Sequence, residues 1–257
     1  MSLHLEHHGN SGPELVLLHG WGLSSEIWAP VIDRLSPHYR LTLIDIPGLG
    51  KSAAIENDSM AATAEALLDV APQKALWIGW SLGGALALQV ASVAPSRVSG
   101  FLMVAASPCF IQRDCWTSAM DTEVFEAFAD GVALNPAKTL SRFAMLQTQG
   151  SQSARDELKR LKRVIAGAEP EALGSTLDLL REDLRPQLCA LSVPATLLLG
   201  LHDQLVPASL AGAVAQLNQS IEVQLFEHSA HLPFLAEPER FDSALNALAE
   251  RSAEAAL

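Results

Sequence analysis

Basic residues are scarce in this chain: 17 Lys and Arg stand against 29 Asp and Glu over 257 residues, a formal net charge of -12. Phosphate backbones are bound by basic footprints, so a chain this acidic reads as no partner for nucleic acid. Long apolar runs are missing too. No stretch approaches the roughly 18 uninterrupted apolar residues of a membrane span, and the opening MSLHLEHHGN has His and Glu where a signal peptide has a basic start and an apolar run. The expectation is a cytoplasmic monomer without a membrane partner. Three cysteines, Cys109, Cys115 and Cys189, are an odd set without metal or redox spacing, which argues against a disulfide framework. A phosphate-binding G-x-x-x-x-G-K-[ST] loop is nearly present at LIDIPGLGKS, but its leading glycine is replaced by Asp45, and AAIEND separates Ser52 from the next helical pattern. No nucleotide, metal or other cofactor is therefore expected, and neither internal repeats nor low-complexity tracts occur.

What is present is a series of short apolar runs bounded by Gly or Pro: LVLLHG (15–20), LTLIDIPG (41–48), ALWIGWS (75–81), FLMVAAS (101–107), ATLLLGLHD (195–203) and IEVQLFEHSAH (221–231). Most are continuous rather than alternating, as parallel strands buried on both faces require. Helical patterns such as 59–71 and 83–95 lie between them. Strand and helix in alternation predict an α/β fold with a mostly parallel sheet and helices on both faces. From Pro108 to Pro186 the strand signal gives way to helical propensity. We therefore expect residues 1–109 and 186–257 to form the core and 110–185 an inserted helical lid.

Ligands in open parallel sheets bind beyond the carboxyl ends of the strands, so the residues after each apolar run carry most of the information. Gly79-Trp80-Ser81-Leu82-Gly83 is a G-x-S-x-G sequence between a strand and a helix, the setting of a nucleophile elbow. A serine nucleophile needs a base and an orienting acid, which in this architecture follow it in the order acid, then His. Asp203 and His231 stand just beyond the last two runs; His202 and His228 are rivals for the base, Asp178 and Asp183 weaker rivals for the acid, since no strand precedes them. His19-Gly20-Trp21-Gly22 follows the first strong run, where a turn supplies a second oxyanion donor: the amides of Trp21 and Leu82 are the expected pair.

In this order and spacing, HGWG, DIPGLGKS, GWSLGG, HD and SAHLPF resemble the α/β-hydrolase superfamily over nearly the whole chain. LLHGWGLSSEIW, ASPCF, RFAMLQTQGSQSAR and the pair Trp21 and Trp80 resemble more narrowly the biotin-pathway carboxylesterases acting on the methyl ester of pimeloyl-acyl carrier protein. The resemblance implies a cofactor-free serine esterase. It further implies that Trp21, Trp80, Leu82 and His231 meet the ester and that Phe143, Ala144, Met145, Leu146 and Gln147 line the acyl channel. Seven basic residues against two acidic ones fall between 138 and 163, a net of +5 on an acidic chain. Lys138 and Arg142, then Arg155 and Lys159, are spaced four apart on successive helical patterns. By charge alone this is either a solvated face or a steering surface for an acidic protein; the resemblance implies contact with acyl carrier protein. The alternative is a sister enzyme without carrier dependence: a broad short-chain carboxylesterase, a lactonase or a carbon-carbon bond hydrolase.

Overall fold

A computed structural model of the chain describes residues 2–56, 59–165 and 173–255. Seven strands form one sheet: β1 (Leu5–His8), β2 (Glu14–Leu18), β3 (Arg40–Ile44), β4 (Ala75–Trp80), β5 (Val98–Val104), β6 (Ala195–Gly200) and β7 (Glu222–Phe226). Their order across the sheet is β1-β3-β2-β4-β5-β6-β7. Only β1 runs antiparallel, pairing Leu5 with Ile44 through His8 with Leu41; the other pairings are parallel. The helices are α1 (Ala29–Leu35), α2 (Met60–Val70), α3 (Leu82–Val93), α4 (Thr122–Leu134), α5 (Pro136–Thr148), α6 (Ala154–Ile165), α7 (Leu173–Asp178), α8 (Arg185–Cys189), α9 (Leu210–Leu217), α10 (Pro233–Ala236) and α11 (Pro238–Glu254). The expected α/β class with a mostly parallel sheet is the one observed. Among the described residues no helix is long and apolar enough to cross a membrane.

The apolar runs are continuous because each central strand is buried on both sides. Along β2, Val16 and Leu18 join a core with Leu67 of α2 and Leu86 of α3, while Leu15 and Leu17 join a second core with Val31 of α1 and Leu245 of α11. All six residues of β4 are buried. Truncating a fully buried aromatic here, such as Trp77 or Phe101, would cost about 3–5 kcal/mol through lost transfer energy and the cavity left behind.

β1 was not among the six expected strands. Its sequence, LEHH, is short and polar, and it lies at the sheet edge with all four residues at least partly exposed. Edge pairing is made by the backbone ladder and needs no apolar side chains, so hydrophobic periodicity does not register it. The runs at 195–203 and 221–231 are strands only as far as Gly200 and Phe226. Their last residues leave the sheet as loops, which is where the polar groups of the site begin.

Candidate active site

Ser81 sits between β4 and α3 with φ 54° and ψ -118°, a strained conformation for a residue with a side chain. The strain persists because its surroundings fix it. Ser81 N–H donates to the Val104 carbonyl at 2.9 Å, and its own carbonyl accepts from Gly84 N–H at 2.9 Å. Strand and helix cross so closely that a Cβ on Gly79 would lie 2.1 Å from the Gly83 carbonyl oxygen, and one on Gly83 would lie 2.5 Å from that of Leu18. The two glycines are thus required by space. Leu82 is the first residue of α3, so its amide is among those a helix leaves without an internal acceptor.

The expected acid and base meet. His231 Nδ1–H donates to Asp203 Oδ2 at 2.7 Å, with both side chains buried. Asp203 Oδ1 accepts from the amides of Leu205 and Val206 at 2.8 and 3.1 Å, so three donors fix the orientation of the carboxylate. His231 Nε2 is buried without a hydrogen-bond partner among the described residues. Its backbone is pinned on two sides: the Trp80 indole N–H donates to the His231 carbonyl at 2.7 Å, and the His231 amide donates to the Gln147 carbonyl at 3.0 Å. The rivals are engaged elsewhere. His202 and His228 are exposed, Asp178 pairs with Arg181, and Asp183 pairs with Arg185, whose guanidinium holds that carboxyl below the usual range.

The turn after β2 comes directly against the serine. A Cβ on Gly20 would lie 3.2 Å from the Trp80 ring and 3.4 Å from Ser81 Cβ. Two residues that the sequence reading left without individual roles build this turn. His19 is fully buried; Ile46 N–H donates to its Nε2 at 3.0 Å, which assigns the ring proton to Nδ1, and Nδ1–H donates to the Gly20 carbonyl at 2.8 Å. Burial lowers the His19 pKa, outweighing the opposing pull of Asp45, so the ring is neutral. Although Asp45 Oδ1 lies 3.6 Å from Nε2, that lone pair is already used, and the carboxylate instead accepts from the amides of Ser25 and Lys51 at 2.6 and 2.9 Å. Ser52 Oγ–H donates to the Asp45 carbonyl at 2.6 Å, and the Lys51 side chain pairs with Glu26 at the surface. DIPGLGKS therefore braces the turn and makes no phosphate cradle. A buried His and a buried Asp at strand ends were the available signal.

The residues expected from the inserted helices divide between inside and outside. Phe143, Ala144 and Gln147 of α5 are buried, whereas Met145 is 47% and Leu146 40% exposed. Phe143 packs edge-on against Trp21 at 5.5 Å between ring centroids, and Phe128 of α4 does so at 5.4 Å. The Trp21 indole N–H donates to the Leu173 carbonyl at 3.0 Å. Both amide atoms of Gln147 are buried without a hydrogen-bond partner among the described residues, an arrangement that costs about 1–3 kcal/mol per atom unless a partner arrives. Asn135 caps α5 by accepting from Lys138 N–H at 3.1 Å. Lys138 and Arg142 on that helix and Arg155 and Lys159 on α6 are exposed, and among the described residues none of the four is in an ion pair. No group of three or more His, Cys, Asp or Glu among the described residues is arranged to hold a metal ion.

Against known proteins, residues 13–238 match a family described as having the alpha/beta hydrolase fold. The chain is 39% identical to the pimeloyl-[acyl-carrier protein] methyl ester esterase of Pectobacterium carotovorum, over 97% of this chain and 99% of that one. It is 42% identical to the protein of the same name from Edwardsiella ictaluri, over 90% and 91%. Among solved structures, an esterase from Exiguobacterium antarcticum matches with a TM-score of 0.86 at 25% identity, over 95% of this chain and 94% of the other.

Proposed function

The chain belongs to the α/β-hydrolase family, and from that premise we propose that it is a serine carboxylesterase hydrolysing the methyl ester of pimeloyl-acyl carrier protein in biotin biosynthesis. The chemistry rests on one observation above the others: the buried 2.7 Å hydrogen bond from His231 to Asp203, beyond the same carboxyl ends of the parallel strands as a strained serine. Ser81 Oγ attacks the ester carbonyl carbon while His231 Nε2 takes its proton. Asp203 keeps the imidazole in the tautomer that leaves Nε2 free and stabilises the imidazolium. The amides of Trp21 and Leu82 receive the oxyanion, each such donor being worth about 3–4 kcal/mol of barrier. Collapse expels the methoxy group, protonated by His231, as methanol. Water deprotonated by His231 then attacks the acyl-enzyme, and Ser81 leaves with the proton to give pimeloyl-carrier.

Specificity falls to the helices between β5 and β6, read as a lid over residues 110–185. Phe143, with Ala144 and Gln147 beside it, bounds the acyl chain next to Trp21 and Trp80, and Met145 and Leu146 form its outer lip. Lys138, Arg142, Arg155 and Lys159, exposed and unpaired among the described residues, steer and hold the acidic carrier. The decisive measurement is kcat/KM for pimeloyl-carrier methyl ester against free dimethyl pimelate. A strong preference for the carrier-bound ester is expected. Neutralising the four cations should lower kcat/KM on it by about tenfold to a hundredfold at low salt, less at high salt, and leave p-nitrophenyl acetate turnover unchanged. Equal rates on the two pimelate esters would reduce the reading to a carboxylesterase without carrier dependence.

A further inference from the structure

The turn joining α5 to α6 touches both loops that carry the proposed base and acid. Gln152 N–H donates to the His228 carbonyl at 2.9 Å, and at the end of α5 the Gln147 carbonyl accepts from the His231 amide at 3.0 Å. On the other side Gly150 has φ +90°, and a Cβ there would lie 2.8 Å from the Cβ of His202, the neighbour of Asp203. The turn is closed from within. Glu157 Oε1 accepts from Ser151 Oγ–H and Ser153 Oγ–H, each at 2.6 Å. Glu157 is only 2% exposed, although it lies on a helix whose neighbouring charges, Arg155, Asp156 and Lys159, face solvent. Burying a carboxylate is costly, and a nearby apolar residue would pack the same space more cheaply. Such a group is retained where its hydrogen bonds fix a geometry that packing alone does not.

We propose that Glu157 is a positioning residue for the reaction: by locking the α5–α6 turn through Ser151 and Ser153, it holds the His231 loop in register with the Asp203 loop and with Ser81. The inference rests on the reading of Ser81, Asp203 and His231 as the triad. It makes the inserted helices part of the catalytic geometry as well as of substrate choice. A carboxylate that served only α6 would be felt in stability. One that sets the His231 loop is felt in turnover.

The test uses p-nitrophenyl acetate, which needs no carrier. Glu157→Ala should lower kcat by about tenfold to a hundredfold, the scale of small misplacements of a catalytic group, with KM within about twofold of the parent. Glu157→Gln, which keeps a carbonyl oxygen for both hydroxyls, should restore most of kcat. The low-field proton resonance of the His231 to Asp203 hydrogen bond should broaden or vanish in Glu157→Ala and persist in Glu157→Gln. Gly150→Ala reaches the same turn independently, by strain at a positive φ and crowding of His202, and should give the same kcat loss; it decides the matter if Glu157→Ala does not fold. Unchanged kcat and resonance in a folded Glu157→Ala overturn the proposal, as does a fall in Tm with kcat intact. His231→Ala, run alongside, separates the two readings: retained activity there sinks the triad, whereas abolished activity beside an unaffected Glu157→Ala sinks only the positioning role.

Discussion

The sheet and the helices inserted between its fifth and sixth strands solve different problems with different residues. At the sheet, the polar groups around the proposed site are held by fixed partners, His231 Nε2 excepted: Asp203 holds three donors, His19 two contacts, and Ser81 is clamped by its own backbone. On α5 and α6 the exposed cations are unpaired among the described residues and the buried Gln147 amide lacks a partner. Fixed groups suit a reaction whose charges develop at set positions, since donors that are already oriented need no reorganisation as the barrier is crossed. Unpaired groups suit recognition, because their interaction energy is left for a ligand. Substitutions should therefore divide by region: those at the sheet should act on turnover, those on the outer faces of α5 and α6 on the use of one particular substrate.

The largest effect is expected at the serine. Ser81→Ala should lower kcat by on the order of 10⁶-fold on carrier-bound and free esters alike, the scale seen when a triad nucleophile is removed. Thermal stability should not fall, because the strained φ of 54° is no harder for Ala than for Ser. Steady-state kinetics and a melting curve check both halves. Comparable activity loss from neutralising the outer cations would erase the distinction between the regions.

A smaller effect tests whether the sheet region extends to the turn after β2. His19→Ala leaves Ile46 N–H and the Gly20 carbonyl without their buried partner, at about 1–3 kcal/mol each. The turn carrying the proposed Trp21 donor is then loosened. Stability should fall by that order and kcat by about tenfold to a hundredfold, partial loss of a donor whose full removal costs roughly 10² to 10³. A lower Tm with kcat untouched would make His19 a residue of the fold alone.

The two regions also differed in how legible they were. The central strands announced themselves because burial on both faces leaves an unbroken apolar run ended by Gly or Pro, and the residues next in line were the ones the fold gathers. Asp203 and His231 are paired in the sequence because each stands just beyond a strand-like run, in the order acid and then His after the serine, and the adjacency of β6 and β7 brings their loops together. Polar residues that support others were not legible. His19 and Asp45 read as parts of two turns, because a hydrogen bond between positions 19 and 46 leaves no periodic trace. Glu157 was hidden more thoroughly. In a stretch with seven basic residues it reads as one of two surface acids that moderate the charge, and only tertiary packing turns it inward. Met145 and Leu146 erred in the opposite direction, apolar in sequence yet substantially exposed.

The smallest effect sets two buried titratable groups against each other, one from each region, and their signs are opposite. Burial lowers the pKa of His19 from its ordinary 6.5. As pH falls through 6.5 the unfolded chain takes up a proton that the folded one refuses, so His19 contributes stability present above that pH and lost below it, down to the folded value. Burial raises the pKa of Glu157 from 4.5, outweighing the hydrogen bonds from Ser151 and Ser153. Here the unfolded chain releases its proton first. Stability is then fully present below 4.5 and is lost as pH rises through the folded value. Each slope is bounded by one proton, about 1.4 kcal/mol per pH unit. Denaturant melts from pH 4 to 8 should show His19→Gln flattening the acid limb below 6.5 and Glu157→Gln flattening the decline above 4.5. If Glu157→Gln instead steepened that decline, the carboxylate would be stabilised in its charged form by the two serines, and the α5–α6 turn would be held by an ion in a low-dielectric site, a tighter lock than burial alone implies.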